Sequence, residues 1–197
     1  MAKRNLIFLC GFKNTGKDTV AKMINDLSYG NYDIVGFADA LKKDYYASVG
    51  VEYDRDTEDR DFKEKHRPGI IQYGEGMKQE HGMYHWIETA LDELIFDEKS
   101  EKGIIVPDCR RVEEVKWMKD FMRQIHPKYQ FVYEKFNPFF FAVHREGAED
   151  EDTDYLTHIA IKIASEEMFM VNEFIPNFET LKKLKIRVEE LYARRLK

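Results

Sequence analysis

Leu6-Ile7-Phe8-Leu9-Cys10, followed at once by Gly11-Phe12-Lys13-Asn14-Thr15-Gly16-Lys17-Asp18-Thr19, joins an apolar run to a glycine-bounded turn. The run has the composition of a buried strand. The spacing Gly-x-x-x-x-Gly-Lys lets successive backbone N–H groups converge on phosphate oxygens, with the N-terminus of the next helix beneath them. Gly11, Lys13, Asn14, Thr15, Gly16, Lys17, Asp18 and Thr19 are therefore the candidate ATP-binding residues, and Lys17 is the point charge for the β- and γ-phosphates. A hydroxyl residue normally follows that lysine and holds Mg²⁺. Here Asp18 stands in its place and Thr19 comes one step later. A carboxylate is a hard oxygen ligand, so Asp18 can take over the metal, directly or through water. Val20, Ile24 and Leu27 then recur at helical spacing.

Outward from this turn, strand-like and helix-like segments alternate. Tyr32 to Phe37 reads as a short strand, and Ala38 to Tyr46 resumes a helical pattern. Glu52 to Lys65 is dense in both charge signs, which suits a solvated surface. Arg67-Pro68 is expected to open a helix through Ile70, Ile71, Tyr73 and Met77, and Tyr84-His85-Trp86-Ile87 to open another through Leu91, Leu94 and Ile95. Gly103 to Asp108 has the unbroken apolar character of a central parallel strand, followed by a helix carrying Val112, Val115, Met118, Phe121 and Met122. Phe139 to Val143 is a further strand, Met168 to Val171 a candidate last one, and Asn177 a candidate N-cap for a closing helix to Leu196. The pattern predicts an α/β fold: a doubly wound parallel sheet of about five strands flanked by helices, opened by a phosphate loop. A single domain over 1–197 is expected, with an acceptor-binding helical part over about 38–98 and a short lid over about 145–158.

Composition narrows the function. A net charge of −6 disfavours affinity built on neutralising a nucleic-acid backbone, so no nucleic-acid partner is expected. No run approaches membrane-spanning length and no signal-peptide pattern precedes Leu6, which leads us to expect a cytoplasmic protein without a membrane partner. Cys10 and Cys109 are too few for a disulfide framework and read as buried thiols. His81 and His85 have an i, i+4 ligand spacing but lack a third ligand of the right kind nearby.

Asp108 ends a strand, and open α/β sheets bind ligands at the carboxyl ends of their strands. Asp108 is thus the second candidate Mg²⁺ residue beside Asp18, and Arg110 and Arg111 bring two guanidinium groups into the same turn. Arg145 precedes the acidic segment Glu149 to Asp152 and can stabilise charge on a phosphoryl group in transfer.

The order of these motifs resembles the deoxynucleoside monophosphate kinases of bacteriophages and their relatives among small-molecule P-loop kinases, such as the animal-type phosphomevalonate kinases. The resemblance rests on Gly16-Lys17-Asp18, Phe37-Ala38-Asp39-Ala40-Leu41-Lys42, the set Arg67, Gln72 and Gly74 with its last spacing one residue short, and Trp86 at a helix start. It continues through Val106-Pro107-Asp108-Cys109-Arg110, Val143-His144-Arg145, and Ile175-Pro176-Asn177 before Leu181 and Leu184. At the end of the lid, His158 is a loose counterpart of the family's histidine.

The resemblance implies ATP and Mg²⁺ as cofactors, a small-molecule nucleotide as partner and, as in many small kinases of this kind, a homodimer. It implies Lys17, Asp108, Arg110 and Arg145 as the catalytic residues. Arg67, Arg110 and Arg111 would clamp the acceptor phosphate, with Asp39, Lys42, Gln72 and Trp86 as further substrate-binding residues. A phosphate monoester has a second pKa of about 6, so the acceptor oxygen is already anionic and needs no general base. Positioning and charge neutralisation suffice. The alternatives are a kinase of another phosphorylated metabolite, with phosphomevalonate as the named example, and a regulatory module that binds ATP without transferring phosphate.

Overall fold

The computed structural model describes residues 3–54, 60–123, 128–129, 132–148, 173–177 and 180–197. Among the described residues, five parallel strands carry the fold: β1 (Arg4–Cys10), β2 (Tyr32–Ile34), β3 (Gly103–Cys109), β4 (Phe136–His144) and β5 (Glu173–Pro176), in the order β2-β3-β1-β4-β5. The helices are α1 (Lys17–Leu27), α2 (Phe37–Ser48), α3 (Arg60–His81), α4 (His85–Phe96), α5 (Val112–Met122), α6 (Val132–Lys135) and α7 (Leu181–Arg195). This is the expected α/β sheet of parallel strands between helices. The chain divides into two compact units: residues 1–35 with 97–197, and residues 36–96.

In the first unit, the apolar run around Leu6 is central because it is apolar on both faces. Ile7 and Leu9 join Val20, Ala21 and Ile24 of α1, Ile105, Phe141, Val143, Ile175, and Leu184, Val188 and Leu191 of α7 in one buried cluster. Phe8 points to the opposite face, where its ring meets Trp117 at 6.2 Å and Phe121 at 6.4 Å, both on α5. Alternating side chains of β1 thus place α1 and α7 on one side and α5 on the other, which is the doubly wound arrangement.

Several boundaries differ from the sequence-based expectation. β2 stops at Ile34: the Val35 N–H still bonds Ile105 O, but Gly36 turns into the N-cap of α2, where Asp39 Oδ2 accepts the Gly36 N–H at 3.1 Å. α3 begins at Arg60 rather than at Arg67-Pro68 and carries Pro68 in its interior. An interior proline removes one helical hydrogen bond at a cost of about 3 kcal/mol. The turns before it are held by packing: the Phe62 and His66 rings lie 5.4 Å and 5.2 Å from the ring of buried Tyr46 on α2. The expected strand over Met168–Val171 falls outside the described residues, and the fifth strand described is Glu173–Pro176. Asn177 does not cap the closing helix; Thr180 does, its side chain accepting the Lys183 N–H. Asn177 is engaged elsewhere, as described below.

Within the second unit, α2, α3 and α4 pack on one another around Tyr46, Trp86, Ile87, Leu91 and Ile95. No helix among the described residues is long and apolar enough to cross a membrane.

Candidate active site

The turn after β1 is built on two glycines for steric reasons. A Cβ on Gly11, whose φ is +154°, would sit 2.3 Å from the backbone oxygen of Val143. Gly16 has φ +95°, caps α1, and would place a Cβ 2.7 Å from Asn177 Nδ2. Between them Asn14 takes φ 61°, a conformation that asparagine tolerates better than most residues. Thr15 is fully buried, with its hydroxyl donating to Phe12 O at 3.1 Å, while Lys13 and Asn14 are exposed.

Lys17, the first residue of α1, is the chemical centre of the turn. Its side chain is only 8% exposed and folds back under the loop, donating to Gly11 O at 2.8 Å and Phe12 O at 2.6 Å. Burial lowers its pKa, Arg110 pushes the same way, and Cys10 and Asp18 oppose them. An ammonium held in a half-dry pocket gains strongly from a polyanion, because little water must be stripped from it on binding. Asp18 is exposed on the first turn of α1 and Thr19 is half-buried beside it in sequence.

At the end of β3 the strand register slips. Phe8 pairs with Val106 but Cys10 pairs with Cys109, so β3 holds one extra residue across Pro107-Asp108. Pro107 cannot donate to a ladder, and a bulge is where a strand tolerates it. Ile34, the last residue of β2, pairs with Ile105, so no β2 residue is left opposite Pro107. Asp108 emerges half-buried at this bulge, followed by half-buried Arg110 and Arg111. Glu114, one turn into α5, reaches back: its Oε2 accepts the N–H groups of Arg110 at 2.7 Å and Arg111 at 2.8 Å. Burial, then the neighbouring Asp108, pushes its pKa up to about 7 against these two bonds.

The buried thiols expected from the sequence are present. Cys10 and Cys109 are register partners on β1 and β3, both free. Burial raises Cys10 to about 12 and Cys109 well above its ordinary value.

Asn177 follows β5 and closes the loop from the other side. Its N–H bonds His144 O at 2.7 Å and its Nδ2 donates to Thr15 O at 2.9 Å. Arg145, half-buried, directly follows β4. The expected lid after it lies almost wholly outside the described residues, His158 included.

The remaining predicted residues belong to the second unit. Asp39 uses both carboxylate oxygens, one on the Gly36 N–H and one on the Tyr53 hydroxyl at 2.8 Å. Lys42 Nζ lies 5.8 Å from the centre of the Tyr53 ring. Arg67 is exposed and pairs with Glu64 at 3.1 Å, and Gln72 is exposed on the same helix. Trp86 is buried, its indole N–H bonding Gly74 O at 3.1 Å, so its visible role is to lock α4 against α3.

Two contacts of the site escaped the sequence reading. Glu114 carried a signal, because a Glu three residues after a helix N-cap is the reach-back half of a capping box. Asn177 was read as an N-cap and within the segment Ile175-Pro176-Asn177, but its contact with Thr15 carried no signal: only the folded chain brings position 177 to position 15.

Comparison with known proteins bears on this geometry. No curated protein matches the sequence. Over its whole length the chain resembles a structure assigned as a kinase from Chloroflexus aurantiacus, with 13% identity, 98% of this chain and 96% of that chain covered, and a TM-score of 0.51. At that identity the likeness shows the fold alone. Shikimate kinase from Acinetobacter baumannii (13% identity, 98% and 96% covered, TM-score 0.49) and a gluconokinase from Sinorhizobium meliloti (14%, 99% and 99%, TM-score 0.42) also resemble it, too distantly for their substrates to bear on this chain. The model of phosphomevalonate kinase matches residues 9–124, from the phosphate loop through α5 and more than half of the chain. The chain thus belongs to the phosphomevalonate kinase family.

Proposed function

We propose that this protein transfers the terminal phosphoryl group of ATP to the phosphate of a small phosphorylated acceptor. The observation that carries this reading is Lys17: a lysine ammonium buried inside a turn that two glycines force into shape, directly after a central strand. A binding site for a triphosphate tail needs converging N–H groups, one cation and a helix N-terminus, and all three are local to residues 11–17.

The donor set fits magnesium ATP. Asp18 and Asp108 would hold the metal, which when bound neutralises charge between the β- and γ-phosphates. Lys17 would hold the β- and γ-oxygens. Arg110 and Arg111 would hold the acceptor phosphate, and Arg145 would cover charge on the group in transfer. No side chain is required as a base, because a phosphate monoester supplies its own anionic oxygen near neutral pH.

For the acceptor we put a (deoxy)nucleoside monophosphate first. Half-buried Tyr45, Tyr53 and Tyr73 in the second unit offer aromatic faces of the kind a base stacks on, near in sequence to Asp39, Lys42, Arg67 and Gln72. Phosphomevalonate is the second reading, favoured by the family model. The deciding experiment is a panel of nucleoside and deoxynucleoside monophosphates together with phosphomevalonate, each mixed with MgATP and followed by ADP release. Release with a nucleotide supports the first reading, and release with phosphomevalonate alone replaces it with the second. Tight MgATP binding with no acceptor phosphorylated would leave a regulatory ATP-binding module.

A further inference from the structure

Glu114 lies outside every motif on which the proposed function rests, yet one of its oxygens accepts two consecutive backbone N–H groups, those of Arg110 and Arg111. Helix capping accounts for one of these bonds. Arg111 is the N-cap of α5, in an extended conformation at φ −96° and ψ 152°, and a Glu at the third helical position commonly reaches back to the N-cap N–H. The second bond, to the residue before the cap, is beyond that motif. Two successive N–H groups converging on a single oxygen fix the peptide between them, and with it the directions in which the two side chains leave the chain.

The position is an unfavourable one for a carboxylate. Glu114 is half-buried in the first turn of α5, where burial and then Asp108 raise its pKa, and it adds in turn to the rise that burial imposes on Cys10 and Cys109. A carboxylate kept among like charges and apolar surroundings must be compensated by the bonds it makes. Both of its hydrogen bonds run to the backbone of the arginine pair.

We propose that Glu114 is the positioning residue of the arginine pair, setting Arg110 and Arg111 in the orientation that grips an acceptor phosphate. The proposal rests on the function proposed above, but its central element, a two-bond brace, is measurable without turnover. The charged groups that act on the brace are Asp108 and Glu113, and the two thiols, Cys10 and Cys109, feel both Glu114 and Lys17. The brace works through acceptance of hydrogen bonds, so a glutamine, whose carbonyl oxygen has two lone pairs for the same two N–H groups, should preserve it.

The test uses the full chain in three forms: unchanged, E114Q and E114A. Amide hydrogen exchange at Arg110 and Arg111 reads the brace itself. We expect both amides to be protected in the unchanged protein and in E114Q, and to exchange at least roughly tenfold faster in E114A. With the best acceptor of the panel, E114A should raise the KM for the acceptor roughly tenfold while leaving the KM for ATP within about twofold, and E114Q should restore it. Unchanged protection in E114A, equal shifts of both KM values, or failure of E114Q to rescue would each overturn the proposal. If the panel yields no acceptor, the proposed function fails by itself. The brace is then judged by inorganic phosphate titrated against the Arg110 and Arg111 amide signals in the presence of MgADP: weaker phosphate binding in E114A than in E114Q sustains it, and equal binding overturns it. Should E114A not fold, E114D takes its place, since its carboxylate is one methylene too short to reach both amides.

Discussion

If Asn177 and Gly16 form one device, their substitutions must fail to add. Gly16→Ala places a methyl group 2.7 Å from Asn177 Nδ2 and holds an L-residue at φ +95°. The backbone strain costs about 1–2 kcal/mol. The methyl group also evicts the Asn177 amide, which forfeits its 2.9 Å bond to Thr15 O, worth about 1 kcal/mol. Gly16→Ala should therefore cost about 2–3 kcal/mol and Asn177→Ala about 1 kcal/mol. In the double variant the bond is already gone and the methyl group has room. Its total should match Gly16→Ala alone, giving a coupling energy of about 1 kcal/mol. Urea unfolding of the four proteins, followed by tryptophan fluorescence with m-values compared, measures this directly. Costs that add to within about 0.5 kcal/mol would show that the segment after β5 does not brace the phosphate loop, and the account of Asn177 would fall.

Lys17→Met should lower phosphoryl transfer by at least about a hundredfold while leaving the far-UV circular dichroism unchanged, since the methylene stem stays packed and only the ammonium is lost; undiminished turnover would remove Lys17 from the mechanism. Cys10 and Cys109, buried and raised in pKa, should resist alkylation at pH 8 in the native protein and react fully in denaturant, as counted by mass spectrometry. For Glu114 the folded pKa, about 7, lies above the ordinary value of 4.5, so the native state binds the extra proton between those limits. Its contribution to stability is full below about pH 4.5 and is lost as the pH rises through 7, to a total of about 3 kcal/mol. Melting temperatures across this range should therefore fall with pH less steeply in E114Q than in the unchanged protein, and identical slopes would contradict the assignment.

Most of the first unit was legible in the chain because its signals are local. A strand buried on both faces must be apolar at every position, which exposes Leu6 to Cys10 and Ile104 to Val106 at once. A phosphate turn must place glycine where a side chain cannot go, and Gly11 meets that condition against Val143. The boundaries that were misjudged lie where packing outweighs local preference. Pro68 should open a helix, but Phe62 and His66, packed against Tyr46, extend α3 past it toward the N-terminus. Trp86, expected among the substrate-binding residues, donates its indole N–H to Gly74 O, a contact between α4 and α3 that no local signal announced.

By itself the amino-acid order determined the glycine-bounded turn, the parallel α/β class and the place of Lys17 at the start of α1, because each is written in short local stretches of the chain. Tertiary structure alone decided what holds that loop in place. Asn177 reaches Thr15 across 162 positions, the slip between β1 and β3 sets where Asp108 emerges, and Glu114 ties down both arginines from a half-buried seat. The partner of Asn177 and the strand slip are chosen by closeness in space, of which spacing along a chain carries no record; the bond from Arg111 to Glu114, three residues apart, is the local exception.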